Sequence, residues 1–457
     1  MRRGGAAVLA ASLSILAAPE ALGNGRYPTA GLVVFDPHDS ARLAVRTTFG
    51  VLVSSDRGAS FDYVCESALR LGIEEDPMLA FTASGRLVVA TFGGVLVSDD
   101  ACNYAPAPEL EGQVVPDLAR SASEPDTLVA FRLLGKGNGL YAAGVLRSED
   151  AGTTFGAFPL LPETFLPVTI DLAARRASRV YLTVRRGADR GYDSALLVSD
   201  DGGETFDERG IPGTADQRLA YIAGVHPTDS ERLALRVNEA DRTLLYETLD
   251  AGATFELLFV GQGLLTGFAY APDGSELAFG GTEEGLFAGP GETGEFERRS
   301  DIAPTCLGWN DDGLWACADV RTAGFSFGRS TDGGRTFAPL LRFAELCGTS
   351  SCGGQSDVAA LCSNDWRTVG PTIEAACGVD APDGGSSGGA GGSPPTAARR
   401  NAGGGGCAVG GAGDSVFGAF AAAASFALVA ARRRQASTAR RFAHGSRAIG
   451  RAPRPKS

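Results

Sequence analysis

One eight-residue phrase recurs along this chain of 457 residues and constrains its fold more than any other feature. The phrase is a serine or threonine, any residue, Asp, any residue, Gly, two further residues and Phe. Full copies begin at Ser54, Ser148, Ser199, Thr248 and Ser330. Degenerate copies begin at Ser98 and Gly289, so that successive starts are 44, 50, 51, 49, 41 and 41 residues apart. A period of this length is typical of arrays and propellers.

Each copy lies between two apolar stretches and has the composition of a tight turn between strands. The Asp can accept backbone N–H bonds across the turn, the Gly tolerates a positive φ, and the Phe can pack back onto the hairpin. Two more short strands precede the turn, as in Gly31–Phe35 then Leu43–Val45, or Val168–Leu172 then Val180–Val184. Four strands in each of seven units over residues 27–343 predict an all-β, seven-bladed propeller with antiparallel blades.

The phrase resembles the Asp-box, or BNR, repeat over about two thirds of the chain. Families with this repeat include sialidases, xyloglucan-degrading glycosidases, sortilin-type receptors and many non-catalytic secreted propellers. The box is structural in all of them. The resemblance therefore implies that its carboxylates form turns and do no chemistry. These residues are Asp56, Asp150, Asp201, Asp250 and Asp332.

The first 23 residues have the features of a secretory signal peptide. Arg2 and Arg3 precede a largely apolar run over residues 6–18, and the small residues Ala21 and Gly23 follow where cleavage is expected. The chain is therefore expected to be exported. The arginine pair leaves a twin-arginine route open, although the residues after it do not support that route.

Nine cysteines in an exported chain are expected to form mostly disulfides. We expect Cys65 to pair with Cys102, which would join the turns of adjacent units, and Cys306 to pair with Cys317 across one hairpin. The other four of the even set would staple a small knob over residues 344–377. They are Cys347, Cys352, Cys362 and Cys377.

The knob is predicted to contain a short helix capped by Ser356 and Asp357 and including Trp366. The histidines lack ligand spacing to any cysteine, so that neither a metal nor a cofactor is expected. They are His38, His226 and His444.

The composition changes abruptly after the knob. Residues 378–406 are mainly Gly, Ser, Ala and Pro, which predicts a flexible linker. Cys407 follows a run of glycines, and the mostly apolar residues 415–431 predict a transmembrane helix. The arginines at 432–434 would keep the end of this helix in the cytoplasm.

Residues 407–434 resemble the MYXO-CTERM sorting signal of myxobacterial surface proteins, from which the basic tail 435–457 departs. The resemblance implies cleavage near Cys407 by a sorting protease. It also implies retention on the surface of a Gram-negative cell, through that cysteine or the helix. The formal net charge of −13 argues against nucleic acid and anionic membrane surfaces as partners.

An arginine ends the second predicted strand in five of the seven units. These residues are Arg46, Arg132, Arg185, Arg236 and Arg321. The loops after them vary in length and belong to the propeller face opposite the repeated turns, and variable loops on a constant scaffold are where binding usually occurs. One hypothesis is that the arginines ring a mouth of the channel and bind a carboxylate or sulfate of a polysaccharide. The alternative is structural, because Lys136 and Lys456 are the chain's only lysines and arginine is its default cation.

A sialidase-like glycoside hydrolase is the alternative function. Sialidases use three arginines, a Tyr nucleophile paired with Glu, an Asp acid and an Arg in a turn that Arg26-Tyr27-Pro28 superficially resembles. The sequence places no Tyr–Glu pair, since Tyr246 and Glu247 abut a repeated turn on the wrong face, and no carboxylate pair stands out. The leading expectation is a monomeric, non-catalytic, surface-anchored recognition or scaffold propeller for an extracellular glycan or protein.

Overall fold

The computed structural model describes residues 26–72, 74–137, 140–187, 191–348 and 352–377. The predicted signal peptide, linker, sorting signal with Cys407, transmembrane helix and basic tail lie outside these residues. In the described part, 28 strands form seven separate four-stranded sheets. All pairs within the sheets are antiparallel, which confirms the seven-bladed propeller.

The strands of each blade follow one another from the channel outward. Blades 1 to 3 are β1 (Ala30–Phe35), β2 (Leu43–Thr47), β3 (Gly50–Ser54) and β4 (Asp62–Cys65); β5 (Met78–Phe81), β6 (Leu87–Thr91), β7 (Gly94–Ser98) and β8 (Ala105–Pro106); and β9 (Val114–Arg120), β10 (Leu128–Gly137), β11 (Leu140–Ser148) and β12 (Gly156–Leu160). Blades 4 and 5 are β13 (Phe165–Leu172), β14 (Val180–Arg186), β15 (Asp193–Ser199) and β16 (Asp207–Gly210); and β17 (Ala220–Val225), β18 (Leu233–Asn238), β19 (Arg242–Thr248) and β20 (Glu256–Gln262).

Blades 6 and 7 are β21 (Leu265–Tyr270), β22 (Leu277–Gly281), β23 (Gly285–Gly289) and β24 (Glu297–Ser300); and β25 (Pro304–Asn310), β26 (Gly313–Ala318), β27 (Phe327–Ser330) and β28 (Ala338–Leu341). The α-helices are α1 (Val320–Ala323) and α2 (Asp357–Thr372), and the 3-10 helices are Pro108–Leu110, Gly291–Thr293 and Phe343–Glu345.

The middle strands of a blade are covered on both faces by neighbouring blades. β3 and β6 are buried along their whole length, whereas most residues of the outer strands β12 and β16 are exposed. Continuous apolar runs such as the Gly-Val-Leu-Val of β3 suit strands that have no solvent face. The core of the molecule therefore lies between blades.

The repeated turn joins the third and fourth strands of a blade through its Asp. In blade 4, Asp201 Oδ1 accepts the backbone N–H groups of Glu204 and Thr205 at 3.0 and 2.9 Å. The hydroxyls of Ser199 and Thr205 also donate to this carboxylate. Burial acts to raise the pKa of Asp201, but these hydrogen bonds lower it to about 2.

The Gly of the repeated turn lies against the preceding blade. A Cβ at Gly203, where φ is +108°, would come within 2.8 Å of Val145 in blade 3. A Cβ at Gly252, where φ is +86°, would come within 2.8 Å of Leu196 in blade 4. The glycine is therefore required for the turn's conformation and also for the close approach of adjacent blades.

The ring closes between blades 7 and 1 without a shared strand. Thr305 Oγ1 donates to the carbonyl oxygen of Ala30 at 2.6 Å, which joins the two inner strands. Phe35 packs on Trp315 with the ring centroids 5.6 Å apart. Closure at this junction therefore depends on side chains.

We call residues 344–377 the C-terminal strap, and its described residues, 344–348 and 352–377, lie across the outside of blades 1 and 2. Their helix α2 begins at Asp357, where Ser356 Oγ accepts the Ala359 N–H at 3.2 Å, and Trp366 packs on Tyr63 of β4. This agrees with the predicted capped helix. The strap therefore covers the outer edge strand of blade 1, which would otherwise face solvent.

The disulfides correct the predicted pairing. Cys306 is bonded to Cys317 as expected, but Cys65 is bonded to Cys362 and not to Cys102. Further bonds join Cys102 to Cys352 and Cys347 to Cys377. The expectation of a knob stapled by its own four cysteines was therefore wrong, because two of them hold the strap to the propeller.

The predicted Cys65–Cys102 bond fails for a geometric reason. Cys65 ends β4, on the face opposite the repeated turns, whereas Cys102 lies in the degenerate turn of blade 2. Helix α2 runs along the outside between the two faces, with Asp357 near Tyr104 and Cys362 near Cys65. Each cysteine therefore meets a different end of the strap.

Candidate binding site in the central channel

The first strand of each blade lines the channel, and these strands are irregular. Six of the seven, all within the described residues, have a register shift against the second strand, and β5 pairs without one. A bulge bends its strand and turns a side chain to a new direction. The channel wall is therefore the least regular part of the blades.

Hydrogen bonds across this wall join neighbouring blades. Thr266 Oγ1 of blade 6 donates to the carbonyl oxygen of Pro304 in blade 7 at 2.6 Å. The Ile170 N–H of blade 4 donates to Asp117 Oδ2 of blade 3 at 2.8 Å. These bonds fix the directions of polar side chains on the inner strands.

A cavity of about 310 Å³ lies in the channel against blades 1 to 5. The charged and phenolic side chains that line it are Arg46, Asp76, Asp117, Asp171, Tyr221 and Arg236. Apolar side chains such as Phe92 and Ile222 form much of the remaining wall. The volume is at the lower end of the range of about 300–1,000 Å³ for ligand pockets.

A second hollow, of about 450 Å³, lies outside the ring where the strap meets the turn of blade 2. Its titratable side chain is Asp100, whose Oδ1 already accepts the N–H groups of Cys102 and Asn103. The channel cavity is therefore the stronger candidate for a binding site.

Arg46 lies near the mouth opposite the repeated turns, one residue before the end of β2. Its Nη1 donates to the Pro77 carbonyl and the Met78 sulfur, both at 3.3 Å, and its Nη2 donates to the Gly31 carbonyl at 3.1 Å. Burial lowers the pKa of Arg46, while nearby Asp76 acts in the opposite direction. Its guanidinium is thus held by backbone acceptors and a sulfur.

Arg236, from β18, is 5% exposed and lies between two rings. Its guanidinium carbon is 4.6 Å from the Tyr221 ring centroid and 5.7 Å from that of Phe268, and Nη1 donates to the Leu265 carbonyl at 3.0 Å. Burial lowers the pKa of Arg236 to about 10, against the opposing effect of Tyr221.

Asp117 and Asp171 place two carboxyl groups in the same cavity. Burial raises the pKa of Asp117 to about 7, although N–H bonds from Ile170 and Leu118 and the charge of Arg46 act to lower it. Burial also raises the pKa of Asp171 to about 7, against an N–H bond from Leu172. Both groups can therefore gain or lose a proton near neutral pH.

The structure brings only Arg46 and Arg236 of the five predicted arginines to this cavity. Arg132 donates to Gln113 Oε1 at 2.9 Å, and the guanidinium of Arg185 lies 5.1 Å from the Tyr192 ring centroid. A ring of five strand-end arginines around the cavity is therefore not formed.

Arg321 is the clearest departure, because it does not end a strand. β26 stops at Ala318, and Asp319 accepts the Arg321 N–H at 2.9 Å to cap the short helix α1. The Arg321 side chain is 69% exposed and pairs with Asp319 at 2.8 Å over the ring of Tyr27. Its charge is therefore partnered within its own loop.

Arg26 lies next to the cavity and not in it. Its Nη1 donates to Asp76 Oδ1 at 2.8 Å, and its Nη2 donates to the carbonyls of Thr48 and Glu75. Since Asp76 lines the cavity, Arg26 neutralises one of the cavity's carboxylates.

The structure contains a Tyr–Glu pair that the sequence did not reveal. Tyr270 donates to Glu247 Oε1 at 2.8 Å, and Arg232 donates to the same oxygen at 2.8 Å. Glu247 is 3% exposed and Arg232 4%, and Arg232 also binds Glu292 of the degenerate turn of blade 6. This group joins blades 5 and 6 in the interior and is closed to a substrate.

Sequence reasoning missed Asp117 and Asp171. Each is followed by Leu and lies inside an otherwise apolar first strand, in Val-Val-Pro-Asp-Leu and Val-Thr-Ile-Asp-Leu. A carboxylate within such a run is rare unless it is paired or functional. That signal was available and could have identified both residues.

Within the ranges that the structure describes, no group of three His, Cys, Asp or Glu side chains is placed to hold a metal ion. None of the helices in those ranges is long and apolar enough to span a membrane.

No protein-family model and no curated protein sequence matches the chain. Among solved structures it is similar to an ancestral GH74 enzyme, with 17% identity, a TM-score of 0.50, and coverage of 68% of this chain and 46% of that one. It also matches a GH74 xyloglucanase from Xanthomonas campestris, with 16% identity, a TM-score of 0.35, and coverage of 69% and 55%. The chain thus spans about half the length of these enzymes. The first similarity supports the propeller fold.

Proposed function

We propose that this protein is a non-catalytic recognition propeller that binds an acidic group of an extracellular glycan in its central channel. The observation that supports this most is the state of Arg46. Three of its N–H groups are bonded, to Pro77, Met78 and Gly31. The Nε–H and one Nη2–H are left, and this pair of donors fits the two oxygens of a carboxylate side by side.

The shape of the cavity supports a small ligand. Its volume of about 310 Å³ suits a single sugar ring better than a longer chain segment. Phe92, Tyr221 and Ile222 offer apolar surface to such a ring. Gly31 leaves room for the guanidinium, because a Cβ there would lie 3.2 Å from Arg46 Nη2.

A glycan array with the purified propeller tests this function. Arg46→Ala should lower binding to carboxylated glycans at least tenfold, whereas Arg132→Ala, which removes an arginine outside the cavity, should leave binding unchanged. Equal binding by wild type and Arg46→Ala, or a loss shared by both variants, would exclude the channel as the site.

The proposed location is the surface of a Gram-negative cell, as an exported monomer of the Asp-box type. Four disulfides support export, since such bonds persist in oxidising surroundings. Anchoring through Cys407 after MYXO-CTERM-like sorting is part of the proposal. Replacing Cys407 with Ser should release the propeller into the medium, and unchanged surface labelling of intact cells would count against this anchor.

A glycoside hydrolase is the second candidate, and the carboxyl groups of Asp117 and Asp171 favour it. Hydrolysis of glycosides uses two carboxyl groups, of which one is protonated. However, both oxygens of Asp117 accept backbone N–H bonds, from Leu118 and Ile170. We expect no turnover of fluorogenic sialosides or xyloglucan. Turnover that Asp171→Asn abolishes would replace the recognition function with the enzymatic one.

A further inference from the structure

The two carboxyl groups in the cavity lie on adjacent inner strands. Asp117 is on β9 and Asp171 on β13, and the Asp117 carboxyl is bonded to the N–H of Ile170, the residue before Asp171. The charged and titratable groups around this pair are Arg46 from β2, Asp76 before β5, Arg120 from β9, Tyr221 from β17 and Arg236 from β18.

Neither carboxyl forms an ion pair with any of the described residues. Asp117 is bonded to the backbone N–H groups of Leu118 and Ile170, and Asp171 to that of Leu172. Arg120, whose charge acts on Asp171, donates to the Ser121 carbonyl at 3.0 Å. A buried carboxylate without an ion pair is costly, and protonation removes that cost.

The charges in the cavity govern the entry of an anion. Asp76 is compensated by Arg26, which leaves Arg46 and Arg236 against Asp117 and Asp171. With both carboxyls ionised, the charges of these four lining side chains cancel, and the attraction of the cavity for an anion is at its weakest. Each proton taken up leaves one more positive charge for the anion to neutralise.

We infer that the channel binds its anion together with a proton held by the Asp117–Asp171 pair, so that mildly acidic surroundings favour capture and alkaline surroundings favour release. This inference rests on the proposed function. The proton comes from solvent and no covalent bond changes. A protonated carboxyl in this pair can also donate its O–H to the bound carboxylate, which an ionised one cannot.

The size of the effect follows from the proton equilibrium. The pKa of each carboxyl is about 7, so the protonated form dominates at pH 6 and is a minor species at pH 8. If one proton is required, the affinity falls about tenfold between these two values.

Calorimetry with sodium glucuronate, in two buffers of different ionisation enthalpy, measures the affinity and the proton uptake together. We expect about tenfold tighter binding at pH 6 than at pH 8 and an uptake of about half a proton to one at pH 7. Asp117→Asn/Asp171→Asn should bind with the same affinity at both pH values. Asp207→Asn, an exposed carboxylate on the outer strand β16, is the matched control and should behave as wild type.

The outcomes separate this inference from the proposed function. Binding that depends on Arg46 but shows no proton uptake and no pH dependence would overturn the proton link alone. The absence of any Arg46-dependent binding between pH 5.5 and 8.5 would overturn both. The proton count uses the wild-type protein, so it decides the question even if the double variant does not fold.

Discussion

The carboxylates of the repeated turns and the carboxyl groups of the channel differ in exposure, in the number of their hydrogen-bond donors and in the direction in which their pKa values are shifted. Asp201 is exposed and accepts hydrogen bonds from backbone and hydroxyl donors, and its pKa is about 2. Asp117 is 7% exposed and has only two backbone donors, and its pKa is about 7. The turns select the charged form of Asp, and the channel selects the neutral form.

This difference distinguishes residues that the repeated blade structure requires from residues that it does not require. A residue that occurs at the same place in five blades is explained by the blade itself. Asp117 and Asp171 occur where the blades differ, on bulged inner strands, and the blade does not require them. Non-repeated polar residues in a repeat protein are therefore the first place to look for function.

The largest contrast is expected in stability at pH 7. Asp150→Ala/Asp201→Ala removes two turn carboxylates and should lower the free energy of unfolding by about 2–4 kcal/mol, because each loses several hydrogen bonds and the sites are far enough apart to add. Asp171→Asn should not lower it, because the amide oxygen can still accept the Leu172 N–H and the raised pKa of this carboxyl costs wild type stability at pH 7. Urea denaturation measures the free energy of unfolding of each variant. Equal losses in the two variants would contradict the distinction between turn and channel carboxyl groups.

The next contrast is in the change of stability between pH 5 and pH 8. A carboxyl whose pKa is raised in the folded protein stabilises the fold at low pH, and this contribution is lost as the pH rises through the folded value of about 7. Asp171→Asn should therefore gain about 2 kcal/mol of stability relative to wild type between pH 5 and pH 8, most of it below pH 7. If the free energies of unfolding of variant and wild type changed in parallel over this range, the raised pKa of the channel carboxyl group would be contradicted.

In the acid range, the turn carboxylates should change the stability with the opposite sign: they stabilise the fold less as the pH falls. A carboxylate whose pKa is lowered stabilises the fold above its unfolded value, and the contribution is lost as the pH falls toward 2. Wild type should thus lose about 1 kcal/mol more than Asp201→Ala between pH 5 and pH 2.5, after allowance for solvent screening. Thermal melts at both pH values test this, with Asp207→Ala as the exposed control.

The smallest effect concerns the residue before the turn glycine. Ala151 and Ala251 have φ values of +58° and +54°, in the region that suits glycine, and blade 4 has Gly202 at this position with φ +85°. Ala151→Gly and Ala251→Gly should each stabilise the protein by about 0.5–1 kcal/mol. Gly202→Ala should do the opposite, and a gain from that change would refute the strain argument.

The sequence predicted those parts of the molecule that depend on local interactions. The turns, their glycines and the blade number follow from one short phrase, because its hydrogen bonds lie within eight residues. The Cys306–Cys317 bond was predictable for the same reason, since both cysteines belong to one hairpin.

The remaining features depend on distant parts of the chain. Cys65 and Cys362 are 297 residues apart in the sequence, and they are adjacent because the closed ring brings the strap back to blade 1. The direction of Asp117 depends on a bulge earlier in β9, and no residue type specifies that bulge. Arg321 was misplaced because Asp319 starts a helical turn where a strand was expected to continue.

The disulfides of the strap determine where a force on the C-terminal end of the described chain is transmitted. Cys377 is joined to Cys347 just after blade 7, Cys352 to Cys102 in blade 2, and Cys362 to Cys65 in blade 1. A force applied to the backbone at Cys377 therefore reaches the chain just after blade 7, and also blades 2 and 1, through covalent bonds. These attachment points lie on both sides of the junction between blades 7 and 1, so that the strap bridges this junction covalently.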